Sequence, residues 1–102
     1  MENINQNIYS IIDIKNKLEP VFTANGVKRA VLFGSYALGN ANKDSDVDIL
    51  VDSGLRGLDF VGLIENAREA LQKQVDLIDI NYIRPGSQIE RDVTASGILI
   101  YG

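Results

Sequence analysis

Two short motifs in this sequence carry side chains whose types and spacing are suited to chemistry. Gly34-Ser35 closes an apolar run, and Asp46 and Asp48 flank a single valine a little further along. Glycine lets backbone N–H groups approach a phosphate closely, and a serine hydroxyl can donate to the same anion. Because side chains alternate along a strand, Asp46 and Asp48 would share one face. The two motifs together predict a phosphate site with carboxylates beside it.

A third carboxylate, Asp76, stands inside an apolar segment where its burial would be costly without a partner. If its strand neighbours the strand of Asp46 and Asp48, three carboxylates converge. Like charges held this close call for a cation, and oxygen ligands suit Mg²⁺ or Mn²⁺. Two such ions roughly 3.5–4 Å apart can stabilise the attacking and leaving oxygens of a phosphoryl displacement. Asp79 would face away from Asp76, and we expect it to be a surface charge.

Each motif alone has a simpler interpretation. A Gly-Ser pair after a strand is typical of an ordinary turn, and an isolated Asp-x-Asp is typical of a solvent-exposed strand face. The sequence around Gly34 is neither a P-loop nor a dinucleotide fingerprint, since the required lysine and glycine spacings are absent. The chemical prediction therefore depends on all three segments meeting in the fold.

Composition narrows the classes of function. The chain has 102 residues and 45% hydrophobic content, which predicts one compact domain over residues 1–102. Its net charge of −4 argues against nucleic acid as a partner. The absence of histidine and cysteine excludes disulfides, Cys/His zinc sites and Ser-His-Asp triads. The polar start at Glu2 and the lack of a long apolar run lead us to expect a soluble, cytoplasmic protein without a membrane partner.

Apolar spacing predicts an alternation of helices and short strands. A first helix spans about 10–25, and Pro20 either kinks it or begins a second short helix. The remaining predicted elements, in order, are a strand over Val27–Phe33, a strand over Asp46–Val51, a helix that ends near Gln74, a strand over Val75–Ile80, a helix over Ser87–Ala95 and an apolar tail over Ile98–Tyr101.

This alternation predicts an α/β (α+β) fold in which helices pack on a small sheet. The connection from Phe33 to Asp46 carries turn residues rather than a long helical pattern. The first two strands are therefore either antiparallel or joined by a very short helix. We expect a mixed β-sheet.

Three segments, Leu32–Gly39, Ser45–Val51 and Val75–Ile78, together resemble the minimal nucleotidyltransferases of the DNA polymerase β-like nucleotidyltransferase superfamily. The resemblance extends over about residues 26–101. It implies the nucleotidyltransferase fold, two Mg²⁺ ions, and transfer of a nucleoside monophosphate, AMP from ATP, to an acceptor hydroxyl.

The resemblance also implies roles for individual residues. Gly34 and Ser35 would bind the nucleoside triphosphate, and Asp46 and Asp48 would ligate the metal ions. Asp76 would complete the metal site and help to deprotonate the acceptor hydroxyl.

The sequence departs from the family at one position near the triphosphate. Leu38 stands where the family often carries arginine, so we expect weaker nucleotide binding. The carboxylates are all present.

Minimal proteins of this family resemble the antitoxins of two-component modules whose partner is a helical HEPN-domain protein. The resemblance implies transfer of AMP to a tyrosine of that partner. A partner protein or a second copy of the chain would complete the site, and the apolar tail Ile98–Tyr101 is either a contact for it or an edge strand. Two alternatives remain open, namely a non-catalytic antitoxin that neutralises its partner by binding, and transfer to a small molecule or RNA.

Overall fold

The computed structural model describes residues 8–102, so the expectation about Glu2 and the extreme N-terminus lies outside the described residues. Four helices and four strands alternate along this part of the chain. In order they are α1 (Ile11–Ala24), β1 (Arg29–Phe33), α2 (Ser35–Leu38), β2 (Val47–Asp52), α3 (Gly57–Leu71), β3 (Val75–Asp79), α4 (Gln88–Ser96) and β4 (Ile98–Tyr101), with a 3₁₀ turn over Ile80–Tyr82.

The strands form one sheet in the order β3-β2-β1-β4. Strand β1 is antiparallel to both β2 and β4, whereas β2 and β3 are parallel. The mixed sheet and the α+β class are therefore confirmed. Both alternatives for the first connection hold at once, because β1 and β2 are antiparallel and the single turn of α2 joins them. The apolar tail is an edge strand.

Helices α1 and α3 pack on one face of the sheet and close the hydrophobic core. Alternate strand positions point into it, as their period of two requires. The fully buried members of this core are Ile14, Leu18, Phe22, Ala30, Leu32, Val47, Ile49, Val51, Leu63, Ala67, Leu71, Val75 and Ile100. Helix α4 lies on the opposite face, which carries the other half of the strand side chains.

Helix α1 runs through Pro20 without interruption. The Ser10 side chain accepts a hydrogen bond from the Asp13 N–H and caps its start. Leu18 and Phe22 on either side of the proline are both buried. The continuous helix and the burial of these flanking side chains argue against a second short helix that begins at Pro20.

Several element boundaries differ from the prediction, three of them for clear local reasons. Val27 donates its N–H to the Phe22 carbonyl in the turn that follows α1, so β1 begins later, at Arg29. Helix α3 ends at Leu71, because Gln72 adopts a left-handed backbone with φ of 54°. Strand β3 ends at Asp79, since Ile80 begins the 3₁₀ turn.

The prediction that Asp79 is a surface charge is wrong. Its side chain is 2% exposed and accepts hydrogen bonds from the Ser53 hydroxyl at 2.5 Å and the Asn81 N–H at 3.0 Å. Burial alone would raise the pKa of Asp79, but the hydrogen bonds from Ser53 and Asn81 outweigh it and lower the pKa. Asp79 ties the end of β3 to the residue that follows β2.

Within residues 8–102, no helix has the length and apolar character needed to cross a membrane.

Candidate functional site

Gly34 is the residue at which β1 turns into α2. Its backbone has φ of 77° and ψ of −153°, a conformation open almost exclusively to glycine. No side chain caps the start of α2, so its first N–H groups point out of the turn. Ser35 is the first residue of the helix and is half-buried, and the buried Tyr36 anchors the turn in the core.

Asp48 lies against this turn from the neighbouring strand. It pairs in register with Phe33, the last residue of β1. A Cβ atom built on Gly34 would overlap the Asp48 carboxylate oxygen Oδ2. Glycine at position 34 is thus required both by the backbone conformation and by the closeness of the carboxylate.

Asp76 occupies the position on β3 that pairs with Asp48 on β2. Both side chains lie on the open face of the sheet, because Val47, Ile49, Val75 and Leu77 point into the core. The fold therefore brings Gly34, Asp48 and Asp76 side by side across three adjacent strands. The sequence interpretation required these segments to meet, and it also expected Asp46 to converge with Asp48 and Asp76.

Asp46 stands just before β2 and is exposed, and its charge acts on Asp48. The strand begins one residue later than predicted, at Val47, so strand alternation does not fix the direction of the Asp46 side chain.

The electrostatics of this region centre on Asp48. Burial, followed by the negative charges of Asp76, Asp46 and Asp92, raises the pKa of Asp48 to about 6. A bound cation would reverse the effect of these neighbouring charges. Binding of a cation would therefore stabilise the ionised form of Asp48.

The carboxylates suit a hard divalent ion, although the protein does not build a complete cage for one. Within the described part of the chain, no three acidic or histidine side chains are grouped closely enough to hold a metal ion by themselves. Mg²⁺ is commonly held by one or two carboxylates together with substrate phosphates and water. Asp48 and Asp76, with Asp46 beside them, fit that pattern, in which the nucleotide supplies the remaining oxygens.

A cleft of about 450 Å³ opens beside the carboxylates. Asp48, Asp76 and Arg68 supply its charged side chains, and the other lining residues are apolar. Sequence interpretation missed Arg68 and Asp92. Arg68 follows Ile64 by one helical turn at the edge of the apolar stripe of α3, which was a usable signal. No pattern in the sequence distinguished Asp92, since a polar helix commonly carries such charges.

Comparisons with known proteins bear on the family and the fold of this chain. The family model described as polymerase beta, nucleotidyltransferase, matches residues 16–102. A relative from Methanocaldococcus jannaschii, named as a candidate protein adenylyltransferase, is 44% identical over 78 residues. The match covers 74% of this chain and 84% of the relative.

Two solved structures share the fold. A toxin-antitoxin crystallised with AMP-PNP superimposes with a TM-score of 0.72 at 28% identity, covering 86% of this chain and 73% of the other. The complex of a tri-AMPylated Shewanella oneidensis HEPN toxin with its MNT antitoxin superimposes with a TM-score of 0.66 at 25% identity, covering 90% of this chain and 72% of the other.

The glycine turn and the paired aspartates thus lie within a chain that matches one family model over most of its length. The protein belongs to the polymerase β nucleotidyltransferase family and is a nucleotidyltransferase.

Proposed function

We propose that this protein transfers AMP from ATP to a tyrosine hydroxyl of a HEPN-domain partner and acts as the antitoxin of that partner. The observation that carries the proposal is the adjacency of Gly34, Asp48 and Asp76 at one edge of the sheet. The adenylyltransferase name of the relative and the AMPylated HEPN toxin in the similar complex support it.

The nucleotide would lie at the turn between β1 and α2. The first N–H groups of α2 and the Ser35 hydroxyl are suited to bind the oxygens of the triphosphate. Gly34 leaves room for a phosphate to approach both the backbone and Asp48. In this arrangement the α-phosphorus would lie beside the carboxylates.

Asp46, Asp48 and Asp76 would hold two Mg²⁺ ions, or Mn²⁺, together with the phosphates. When bound, these ions neutralise charge on the phosphates and on the attacking and leaving oxygens. The carboxylates would keep the reacting groups in line, which is the main contribution a protein makes to such a transfer.

The acceptor oxygen attacks the α-phosphorus and forms a new O–P bond. The bond between the α-phosphorus and the oxygen that bridges to the β-phosphate breaks, and pyrophosphate leaves. The hydroxyl proton passes to Asp76 and then to water. The products are the AMP ester of the acceptor and pyrophosphate.

Co-expression with the protein of the adjacent gene tests the proposal. We expect that protein to be a HEPN-domain toxin and its tyrosine to gain the mass of one AMP. Asp46→Asn and Asp76→Asn should still bind the partner but lose both the added mass and the protection of the host cell. Full protection by both variants without any added mass would reject the proposal in favour of neutralisation by binding.

A further inference from the structure

The cleft beside Asp76 has two chemically different parts. Its charged end carries the two aspartates of the sheet, and the rest of its wall is mainly apolar. The apolar side chains come from four different elements, namely Phe33 from β1, Ile64 from α3, Ile78 from β3 and Ile89 from α4. A volume of about 450 Å³ is within the usual range for a small-molecule or side-chain pocket.

Arg68 is the single basic side chain that lines this cleft in the part of the chain that the structure describes. It is half-buried, and its Nε donates a hydrogen bond to the Val75 carbonyl at 3.3 Å. Successive carbonyls of a strand point to opposite sides. Because the Gln74 carbonyl accepts from the Val47 N–H, the Val75 carbonyl points away from β2. Arg68 therefore wraps around the free edge of β3.

The terminal nitrogens of Arg68 remain available. Within residues 8–102 its guanidinium makes no hydrogen bond other than the one from Nε, and neither terminal nitrogen is a buried group without a partner. They are therefore accessible to solvent, and Arg68 is one of the side chains that line the cleft. A guanidinium fixed by one bond and open at the other end is suited to bind an oxygen of a ligand.

The order across the sheet separates the nucleotide from this arginine. Gly34 follows β1, Asp48 lies on β2, Asp76 lies on β3, and Arg68 is at the outer edge of β3. Neighbouring strands are about 4.8 Å apart, so Arg68 stands roughly two strand spacings from the glycine turn. The aspartates lie between the two ends, where the phosphoryl group would be transferred.

We propose that this cleft is the subsite for the acceptor, and that Arg68 is its specificity-determining residue. An aromatic ring would lie against the four apolar side chains, with its hydroxyl directed to Asp76. The terminal nitrogens of Arg68 would bind a carbonyl or carboxylate oxygen of the acceptor backbone. A serine would leave the apolar walls uncovered and lose their contribution. This inference rests on the proposed function and names the cleft and the arginine that would bind the tyrosine of that proposal.

A binding measurement tests it without requiring turnover. The probe is N-acetyltyrosinamide, titrated into the full chain with Mg²⁺ and AMP-PNP and followed by methyl NMR. We expect saturable shifts at Ile64, Ile78 and Ile89 but not at Ile14, which lies in the core on the other side of the sheet. N-acetylserinamide should cause no saturable shift.

Variants of Arg68 supply the second arm. Arg68→Ala should weaken binding of the probe at least about fivefold, since a hydrogen bond from a charged donor is lost, while AMP-PNP affinity changes less than about twofold. Arg68→Lys keeps the positive charge but lacks the planar set of guanidinium donors, so it should weaken binding of the probe to an intermediate extent. The control is Arg84→Ala, an exposed arginine of the turn after β3, which should bind the probe as the wild type does.

Retention of AMP-PNP binding shows that each variant is folded. The absence of saturable shifts at the three isoleucines, or equal binding of the probe by the Arg68→Ala and Arg84→Ala variants, would overturn the inference. Failure of AMP transfer to a protein with these shifts intact would instead count against the proposed function.

Discussion

Gly34 and Asp48 lie so close together that any side chain at position 34 would overlap the Asp48 carboxylate. The contact joins the turn that begins α2 to the open face of β2. It couples the predicted phosphate-binding backbone to a predicted metal ligand. The relative position of the two groups is therefore set by the packing of one glycine.

Gly34→Ala should lower AMP transfer by about 100-fold, because a displacement of about 1 Å at a reacting group costs that much. The matched control is Gly39→Ala at the end of α2. Gly39 also has a positive φ, of 81°, but a Cβ there meets no atom within 4 Å. Gly39→Ala should lose roughly 1–2 kcal/mol of stability from backbone strain. Gly34→Ala should lose more, because its backbone conformation is open almost exclusively to glycine and its Cβ would overlap Asp48. Equal activity in the two variants, measured at matched folded fractions, would contradict the role of the contact.

Asp48→Asn should alter the pH dependence of stability in metal-free buffer. The pKa of Asp48 is raised to about 6 in the folded protein, against about 3.9 in an unfolded chain. The folded state therefore holds the proton more tightly, and the carboxylate contributes less and less to stability as pH rises from about 4 to about 6. Relative to wild type, the variant should gain stability across that window and keep the gain above it.

Urea unfolding at a series of pH values measures this effect. Asp44→Asn removes an exposed carboxylate from the preceding loop and serves as the control. A difference between Asp48→Asn and wild type that stays constant between pH 4 and pH 7 would show that Asp48 lacks the raised pKa.

Much of this site was predictable because its determinants are local. The apolar run before Gly34 and the alternation around Asp48 are visible in the sequence, and each forms within a few residues. We predicted that the strand of Asp76 would neighbour the strand of Asp48, and the pairing of β2 with β3 confirms it. Whether any of these residues acts in transfer stays a prediction.

What the sequence did not predict depends on contacts between distant residues. Asp79 was expected at the surface because its spacing from Asp76 placed it on the other face. That face is the core, where Ser53 from a separate segment satisfies it. The place of Arg68 at the edge of the apolar stripe of α3 was visible in the sequence, but its contact with the Val75 carbonyl at a free sheet edge depends on strand order, which residue types do not give.

Asp79→Ala should lower the free energy of unfolding by about 2–3 kcal/mol, since it leaves the buried Ser53 groups without an acceptor. The pKa of Asp79 is lowered in the folded protein. Its contribution is therefore present above the unfolded pKa of about 3.9 and is lost as pH falls through the folded pKa.

The control for this prediction is Asp44→Ala, which should cost less than about 0.5 kcal/mol as a surface change. Urea unfolding at pH 7 compares the two variants. If Asp79→Ala lowered the free energy of unfolding as little as Asp44→Ala, the hydrogen bonds between Asp79 and Ser53 would be unimportant for stability.

Leu38→Arg should tighten ATP binding. Leu38 is the last residue of α2 and is 62% exposed, so arginine fits there without repacking the core. An exposed contact between arginine and a phosphate contributes about 0.5–1 kcal/mol, or roughly a two- to fivefold lower Kd, and weakens at high salt.

Calorimetric titration with AMP-PNP and Mg²⁺ measures this effect. Leu58→Arg adds the same charge at an 86% exposed position of α3, outside the turn. Equal gains from both variants would mean that net charge alone, rather than a phosphate near position 38, accounts for the tighter binding.

The central claim is metal-dependent transfer of the α-phosphoryl group by the aspartates at the edge of the sheet. The direct measurement uses ATP radiolabelled in either the α- or the γ-phosphate, with Mg²⁺ and the HEPN-domain partner. We expect the α label alone to become covalently attached to the partner with wild type and Asp44→Asn, and no attachment with Asp48→Asn or after chelation of Mg²⁺. Attachment of the γ label, or undiminished attachment of the α label with Asp48→Asn, would contradict the account.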